Sequence, residues 1–146
     1  MYPPKLQETL DFFDTLEDQN DRVNVLLDYA DKFKEVPKEV AVRPFEKSHQ
    51  VPQCESESYI WAEKNQDGTL KYYFAVENPS GVSAKALAKV LDDTLSGERP
   101  ETIMTVSPEI VYKIFRQNIS MGKGLGLMSM VQAVVALAKH HSSTAA

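Results

Sequence analysis

The chain has 146 residues, of which 42% are hydrophobic, and a chain of this length can bury a core as one domain. A formal net charge of -5 and the lack of a Lys/Arg cluster argue against nucleic acid as the main partner. No hydrophobic run approaches the roughly 20 residues of a membrane span, and the N-terminus shows no export signal.

The first part of the chain predicts two amphipathic helices. The spacing of Leu6, Leu10 and Phe13 predicts one helix after Pro3. Asn20 or Asp21 is expected to cap the second helix. Its expected apolar face consists of Val23, Leu26, Leu27, Ala30 and Phe33.

The middle of the chain changes to the two-residue period of strands. Residues 58–64 and 69–77 predict a hairpin, because the Asp67-Gly68 pair between them is a strong turn signal. A short third strand over 51–54 is expected at an edge, since Pro52 has no N–H to donate to a sheet interior.

Three helices are predicted after the sheet. The first is expected to end at Gly97, and the second is expected to begin at Ser107-Pro108. The run Gly122-Lys-Gly-Leu-Gly126 is expected to separate the second from the third. The stripe of the last helix is Leu127, Met130, Val131, Val134 and Ala138. The order of elements predicts an α+β fold, with a small three-stranded antiparallel sheet and helices packed on one face.

The only cysteine, Cys54, has polar neighbours on both sides, including Glu55, Ser56 and Glu57. One cysteine excludes an intrachain disulfide or a CxxC redox pair, and a free thiol without an export signal favours the reducing cytoplasm. Glu55 and Glu57 are expected to raise the pKa of the thiol, which argues against a constitutively reactive nucleophile. An inert cysteine and a thiol that reacts only within a partner's active site both remain open.

Other candidate sites have simpler explanations. The glycine run 122–126 lacks the spacing of a phosphate-binding loop, and a tight turn between helices explains it. His49 is close enough in sequence to assist Cys54, but a spacing of five residues fixes no contact. His140 and His141 lack companion metal ligands, so a solvated tail is favoured. The aromatic residues around Trp61 are expected in the sheet core and rim.

From Pro3 to Ala138 the chain resembles the SufE family, the sulfur acceptors of the Suf iron–sulfur assembly system. Residues matching the family's central pattern are Val51, Cys54, Ser56 and Ile60, and Gly124-Leu125 and Met128 match its terminal turn. The chain departs from the pattern at four places, which include Ser58-Tyr59, where valine-tryptophan is common, and the changed turn over 78–82. Gln53 replaces the usual glycine, and Met121 stands where the family often carries arginine.

The resemblance implies a single domain over 1–146, with an ordered core at about 3–139 and a frayed tail. It implies a cytoplasmic, sulfurtransferase-like persulfide carrier and desulfurase activator rather than a stand-alone enzyme. Cys54 would carry the sulfur, and Gln53, Glu55 and Ser56 would contact the partner. No cofactor or metal of its own is expected.

The partners implied are a pyridoxal-phosphate (PLP) cysteine desulfurase of the SufS kind and an iron–sulfur scaffold complex, with no nucleic acid or membrane. The chain itself would be a monomer or weak homodimer. Two alternatives stay open. One is an interaction module that binds a desulfurase or scaffold without moving sulfur. The other is a cluster scaffold, although a cluster needs several thiolates and each chain supplies one.

Overall fold

The computed structural model describes residues 2–53, 56–77, 81–116 and 119–143. These residues form an α+β fold in which α3 packs on β2 and α6 packs on β1. The bounds of the elements are α1 Pro4–Asp14, α2 Gln19–Asp31, β1 Ser58–Lys64, β2 Leu70–Val76, α3 Val82–Leu95, α4 Pro100–Ile103, α5 Ile110–Phe115 and α6 Met121–Ser143, with a 3-10 turn at Lys47–His49. The fold class expected from the sequence is therefore confirmed.

The hairpin forms where the sequence predicts it. β1 and β2 are antiparallel, with Ile60 opposite Phe74. The turn is closed by a 2.8 Å hydrogen bond from the Asn65 N–H to the carbonyl oxygen of Thr69. Gly68 has φ +88°, a conformation that residues with a Cβ rarely adopt, and this explains why the turn contains glycine there.

The expected third strand over 51–54 does not form among the described residues, and the sheet has two strands rather than three. Only a single bridge joins Gln50 to Tyr59 on β1. Pro52 has no N–H to continue the pairing, and the positive φ of Gln53 (+61°) turns the backbone away from an extended course. Cys54 lies outside the described residues.

The two faces of the sheet are covered differently. Alternate residues of β2, from Leu70 to Val76, face the main core under α3 and α6. The opposite face carries a smaller cluster, which we call the aromatic cluster; its buried members are Val36, Phe45, Tyr59, Trp61 and Ala75. Phe45 belongs to the connection between α2 and β1. The helices thus pack on one face, and this connection covers the other.

The helix ends are partly as predicted. The side chain of Asp18 accepts a 2.7 Å hydrogen bond from the Asn20 N–H and caps α2. The predicted caps, Asn20 and Asp21, were wrong because α2 begins at Gln19. Gly97, at φ +94°, follows the end of α3 as expected. The Ser107 hydroxyl accepts a backbone N–H two residues on, just before α5.

The predicted apolar face of α2 was right at three positions that contact the main core, Leu26, Ala30 and Phe33, and wrong at Val23 and Leu27. Leu26 is buried, but Val23 and Leu27 are 38% and 43% exposed. Arg22 takes an inward position instead and is 2% exposed. Its guanidinium donates to backbone carbonyls at the ends of α1 and α5, so hydrogen bonds satisfy the buried charge.

The glycine run 122–126 was predicted as a turn between helices, and this was wrong. It forms the first turns of α6, which begins at Met121. Gly124 lies close to the ends of the Ile119 and Tyr112 side chains. The buried stripe from Leu127 to Ala138 is as predicted.

Helix α6 also extends beyond the expected end of the ordered core at residue 139. It runs to Ser143, and a ring nitrogen of His141 lies 3.2 Å from the carbonyl oxygen of Ala62. The segment Met121–Ser142 is long enough to span a membrane, and an 18-residue stretch of it has a mean hydropathy of 1.4, contrary to the sequence-based expectation. Half of that stretch is buried inside the protein. The core helix of a soluble protein has the same character.

Candidate functional site

The candidate site is the loop that contains the single cysteine, which we call the Cys54 loop (residues 52–57). Two of the four predicted site residues, Cys54 and Glu55, lie outside the described residues. The other two, Gln53 and Ser56, lie on its two flanks. The geometry of the site is therefore built from the flanks and from the elements that fix them.

A backbone hydrogen bond closes the base of the loop. The N–H of Val51 donates to the carbonyl oxygen of Ser58, at 2.8 Å. Val51 is 2% exposed within the main core, and Ser58 is fully buried as the first residue of β1. The two ends of a short loop are thus held together at the edge of the sheet. Cys54 is placed by chain connectivity between them.

Each described flank carries a polar feature. Gln53 is exposed and has φ +61°, in the left-handed region that glycine adopts without strain. This conformation gives a physical reason for glycine in the family's pattern at this position. On the other flank, the Ser58 hydroxyl donates to the carbonyl oxygen of Ser56, at 2.7 Å, and so shapes the return of the chain to β1.

The base of the loop is acidic and hydrogen-bonded. The N–H of Glu77, just after β2, donates to the carbonyl oxygen of Glu57 at 2.8 Å. The Tyr59 hydroxyl donates to the Glu57 carboxylate, also at 2.8 Å. This hydrogen bond, with the nearby carboxylate charges, raises the pKa of Tyr59 above its ordinary value. Glu57 is therefore held through both its backbone and its side chain.

His49 belongs to the aromatic cluster side of the sheet. Its Nδ1 lies 3.0 Å from the carbonyl oxygen of Ile60, and its ring stacks on Trp61 with centroids 5.3 Å apart. These contacts tie His49 to β1. A structural role accounts for both of its described contacts.

Two residues near the site, Arg43 and Glu77, were not found from the sequence. Arg43 forms ion pairs with Glu35 and with Glu77, the residue bonded to Glu57 at the base of the loop. Arg43 and Glu77 are 34 positions apart, and no periodic pattern links them. Met121, which stands where the family often has arginine, is the first residue of α6 and is 80% exposed.

The described residues, 2–53, 56–77, 81–116 and 119–143, contain no group of three or more His, Cys, Asp or Glu side chains placed to hold a metal ion. Hydrogen bonds and ion pairs between carboxylates and a tyrosine or arginine account for the polar groups around the loop base. Among the predicted site residues, Cys54 is the one that has a nucleophilic side chain suited to sulfur chemistry.

Comparison with known proteins shows similarity to one family and to solved structures. The model of the family "SufE: Fe-S metabolism associated domain" matches residues 7–138. A solution structure of a hypothetical protein from Thermus thermophilus is similar, with a TM-score of 0.79 and 26% sequence identity, over 98% of this chain and 99% of that one. No protein of curated function matches the chain significantly.

Proposed function

We propose, from the premise that this chain belongs to the SufE family and so to Fe–S metabolism, that it is a sulfur acceptor and carrier using Cys54. The donor is a persulfide on a PLP-dependent cysteine desulfurase of the SufS kind. Binding of this chain stimulates the desulfurase, and the acquired sulfur passes to an iron–sulfur scaffold complex. The setting is the cytoplasm, where a free thiol stays reduced.

The chemistry is thiol–persulfide exchange. The Cys54 thiolate attacks the terminal sulfur of the desulfurase persulfide, and a new S–S bond forms at Cys54. The bond between the two sulfurs of the donor breaks, and the desulfurase cysteine leaves as a thiolate. The terminal sulfur keeps its proton, so Cys54 becomes Cys–S–SH without any net oxidant or reductant. The rate depends on the thiolate fraction, on access and on the sulfur attacked.

One observation carries this proposal: the only cysteine of a SufE-family chain falls in a short loop whose base is fixed by the Val51–Ser58 hydrogen bond. A fixed base limits the region that the loop and its one thiol can reach. The flanking residues Pro52, Gln53 and Glu57 are exposed, which suits contact with a partner. Gln53, Glu55 and Ser56 are the residues that we propose contact the desulfurase.

Intact mass spectrometry tests the proposal. The chain is incubated with a cysteine desulfurase, PLP and L-cysteine, beside a Cys54→Ser variant. We expect a reducible gain of about one sulfur atom in the wild type and none in the variant. Because the chain has one cysteine, the gain needs no further assignment.

The main alternative is an interaction module that binds the desulfurase without accepting sulfur. Desulfurase turnover distinguishes the two functions. We expect Cys54→Ser to bind the enzyme but to lose most of the stimulation, because the desulfurase persulfide then has no acceptor thiol. Full stimulation by the variant, with no sulfur gained by the wild type, would establish the interaction module instead.

A further inference from the structure

Arg43 joins the connection between α2 and β1 to the end of β2. Its Nε donates to a carboxylate oxygen of Glu77 at 2.8 Å, and one terminal nitrogen donates to a carboxylate oxygen of Glu35 at 2.9 Å. The guanidinium also lies 5.0 Å from the ring centroid of Phe45. A planar fork held by two carboxylates and an aromatic ring has one well-defined orientation.

Glu77 connects this arrangement to the Cys54 loop. Its backbone N–H donates to the carbonyl oxygen of Glu57, one residue beyond the Ser58–Val76 pair that ends the hairpin. It is therefore the last described rung of the hairpin, at the C-terminal end of the Cys54 loop. Fixing the side chain of Glu77 restricts this rung, and Glu57 is only three positions from Cys54.

The carboxylates near the Glu57–Glu77 rung are stabilised by a nearby positive charge. Glu35, Glu57 and Glu77 bring three carboxylates to this region, and the hydrogen bonds to Arg43 lower the pKa of Glu35. Lys85, on α3, acts on Glu35 as well, but more weakly than Arg43. Removing the Arg43 charge would leave the carboxylates of Glu57 and Glu77 to repel one another across the rung.

We propose that Arg43 is a positioning residue for sulfur transfer, which holds the base of the Cys54 loop through its ion pair with Glu77. The inference rests on the proposed function for its catalytic meaning, but its structural part does not need it. The described contacts of Arg43 are with Glu35, Glu77 and Phe45. By fixing the rung at Glu57, Arg43 restricts the C-terminal end of the Cys54 loop.

Hydrogen exchange of backbone amides tests the structural part in the intact protein. The variants are Arg43→Gln and, as a matched control, Arg99→Gln; Arg99 contacts the carbonyl oxygen of Asp67 at the opposite end of the hairpin. We expect Arg43→Gln to speed exchange of the Glu77 amide about threefold to tenfold at low salt, because the rung opens more often. The Phe74 amide within β2 should be unchanged.

Selective acceleration at Glu77 that is absent in Arg99→Gln would support the inference. An unchanged Glu77 amide, or equal acceleration of Glu77 and Phe74 as from general destabilisation, would overturn it. High salt should reduce the difference between wild type and Arg43→Gln, because all three ion-pairing side chains are partly exposed.

Sulfur loading of Cys54 tests the catalytic part. At saturating desulfurase we expect Arg43→Gln to be loaded more slowly than wild type, and Arg99→Gln to be loaded at the wild-type rate. Equal rates for both variants would overturn the positioning role. If even the wild type gains no sulfur, the proposed function fails, and the exchange of the Glu77 amide still decides whether Arg43 fixes the loop base.

Discussion

Arg22 and Ile114 are 92 positions apart in the chain, and the buried guanidinium of Arg22 donates a 2.7 Å hydrogen bond to the carbonyl oxygen of Ile114. The same guanidinium donates to the carbonyl oxygens of Phe13 and Leu16 at the end of α1. Helix ends carry carbonyls without intrahelical partners and a partial negative charge. One cation therefore joins α1, α2 and α5.

Replacing this guanidinium should strongly destabilise the fold. We expect Arg22→Met to lower the free energy of unfolding by about 3 to 5 kcal/mol, because several buried carbonyls lose a charged donor together. Arg99→Met, at an exposed position, should change it by less than about 0.5 kcal/mol. Urea unfolding monitored by circular dichroism measures both. A loss below about 1 kcal/mol for Arg22→Met would show that the carbonyls find other donors.

The buried hydroxyl of Tyr72 should make stability fall at alkaline pH. It donates to the carbonyl oxygen of Val134 at 2.8 Å, and burial raises the pKa of Tyr72 well above its ordinary value of 10.0. A raised folded-state pKa gives stability that is complete below pH 10 and is lost as the pH rises further. We expect wild type to exceed Tyr72→Phe by about 1 kcal/mol at pH 8.

This advantage should shrink steadily above pH 10, where the unfolded state ionises and the folded state does not. The other tyrosines are present in both proteins, so their titration cancels in the difference. Urea unfolding at pH 8, 10 and 11 gives the three values. A difference that stays constant across this range would contradict the assigned burial of the hydroxyl.

Two glycines should respond in opposite directions to alanine. Gly97 has φ +94° with open space around it, so Gly97→Ala should cost about 1 kcal/mol from backbone strain alone. Gly124 is helical, and a Cβ there would meet the flexible end of the Ile119 side chain at 3.3 Å and would be in ordinary contact with Tyr112 at 3.8 Å. Gly124→Ala should gain up to about 1 kcal/mol of helix stability. Thermal unfolding of both variants distinguishes them, and the same sign for both would refute this explanation.

The aromatic cluster can be followed through Trp61, the only tryptophan. Phe45 packs against Trp61 with ring centroids 5.0 Å apart, and Trp61 is 7% exposed. We expect Phe45→Ala to shift the tryptophan emission to longer wavelength and to cost about 3 kcal/mol. Phe12→Ala, at an exposed position of α1, should leave the emission unchanged. An unshifted spectrum in Phe45→Ala would mean that another side chain refills the space.

Local signals were enough for much of the fold. Asp67-Gly68 and the two-residue alternation predict the hairpin, because both turn chemistry and strand period act within a few residues. The Ser107-Pro108 signal predicts a helix near α5 in the same way, although α5 begins two residues later, at Ile110. The short helix α4, at Pro100–Ile103, was not predicted because four residues are too few to show a period.

Errors arose where distant parts of the chain decide the outcome. Arg22 points inward because carbonyls from two other helices meet it, and this cannot be seen from α2 alone. The glycine run was expected to break a helix, but α6 is continuous through it. Gly124 lies against Tyr112 and Ile119, which are outside α6. Tertiary contacts often override local propensity in this way.

For the candidate site, Cys54 and its neighbours stay a prediction from the sequence, and the sequence did not indicate the residues that support the loop. A lone cysteine among polar residues is visible in any sequence, and the resemblance to SufE proteins provides its proposed role. The ion pair of Arg43 with Glu77 exists only once the connection after α2 folds back over the sheet. No signal within either segment indicates the other.

The hydrogen bond between Val51 and Ser58 limits the distance that the Cys54 loop can extend from the sheet. Cys54 is three residues beyond Val51, and an extended chain spans at most about 3.6 Å per residue, so its backbone can move no more than about 11 Å from that anchor. A donor sulfur within this radius can be met with the anchor intact. A donor sulfur deeper within a cleft could be reached only after this hydrogen bond breaks. The depth of the partner's active site therefore determines whether the Val51–Ser58 hydrogen bond must break during transfer.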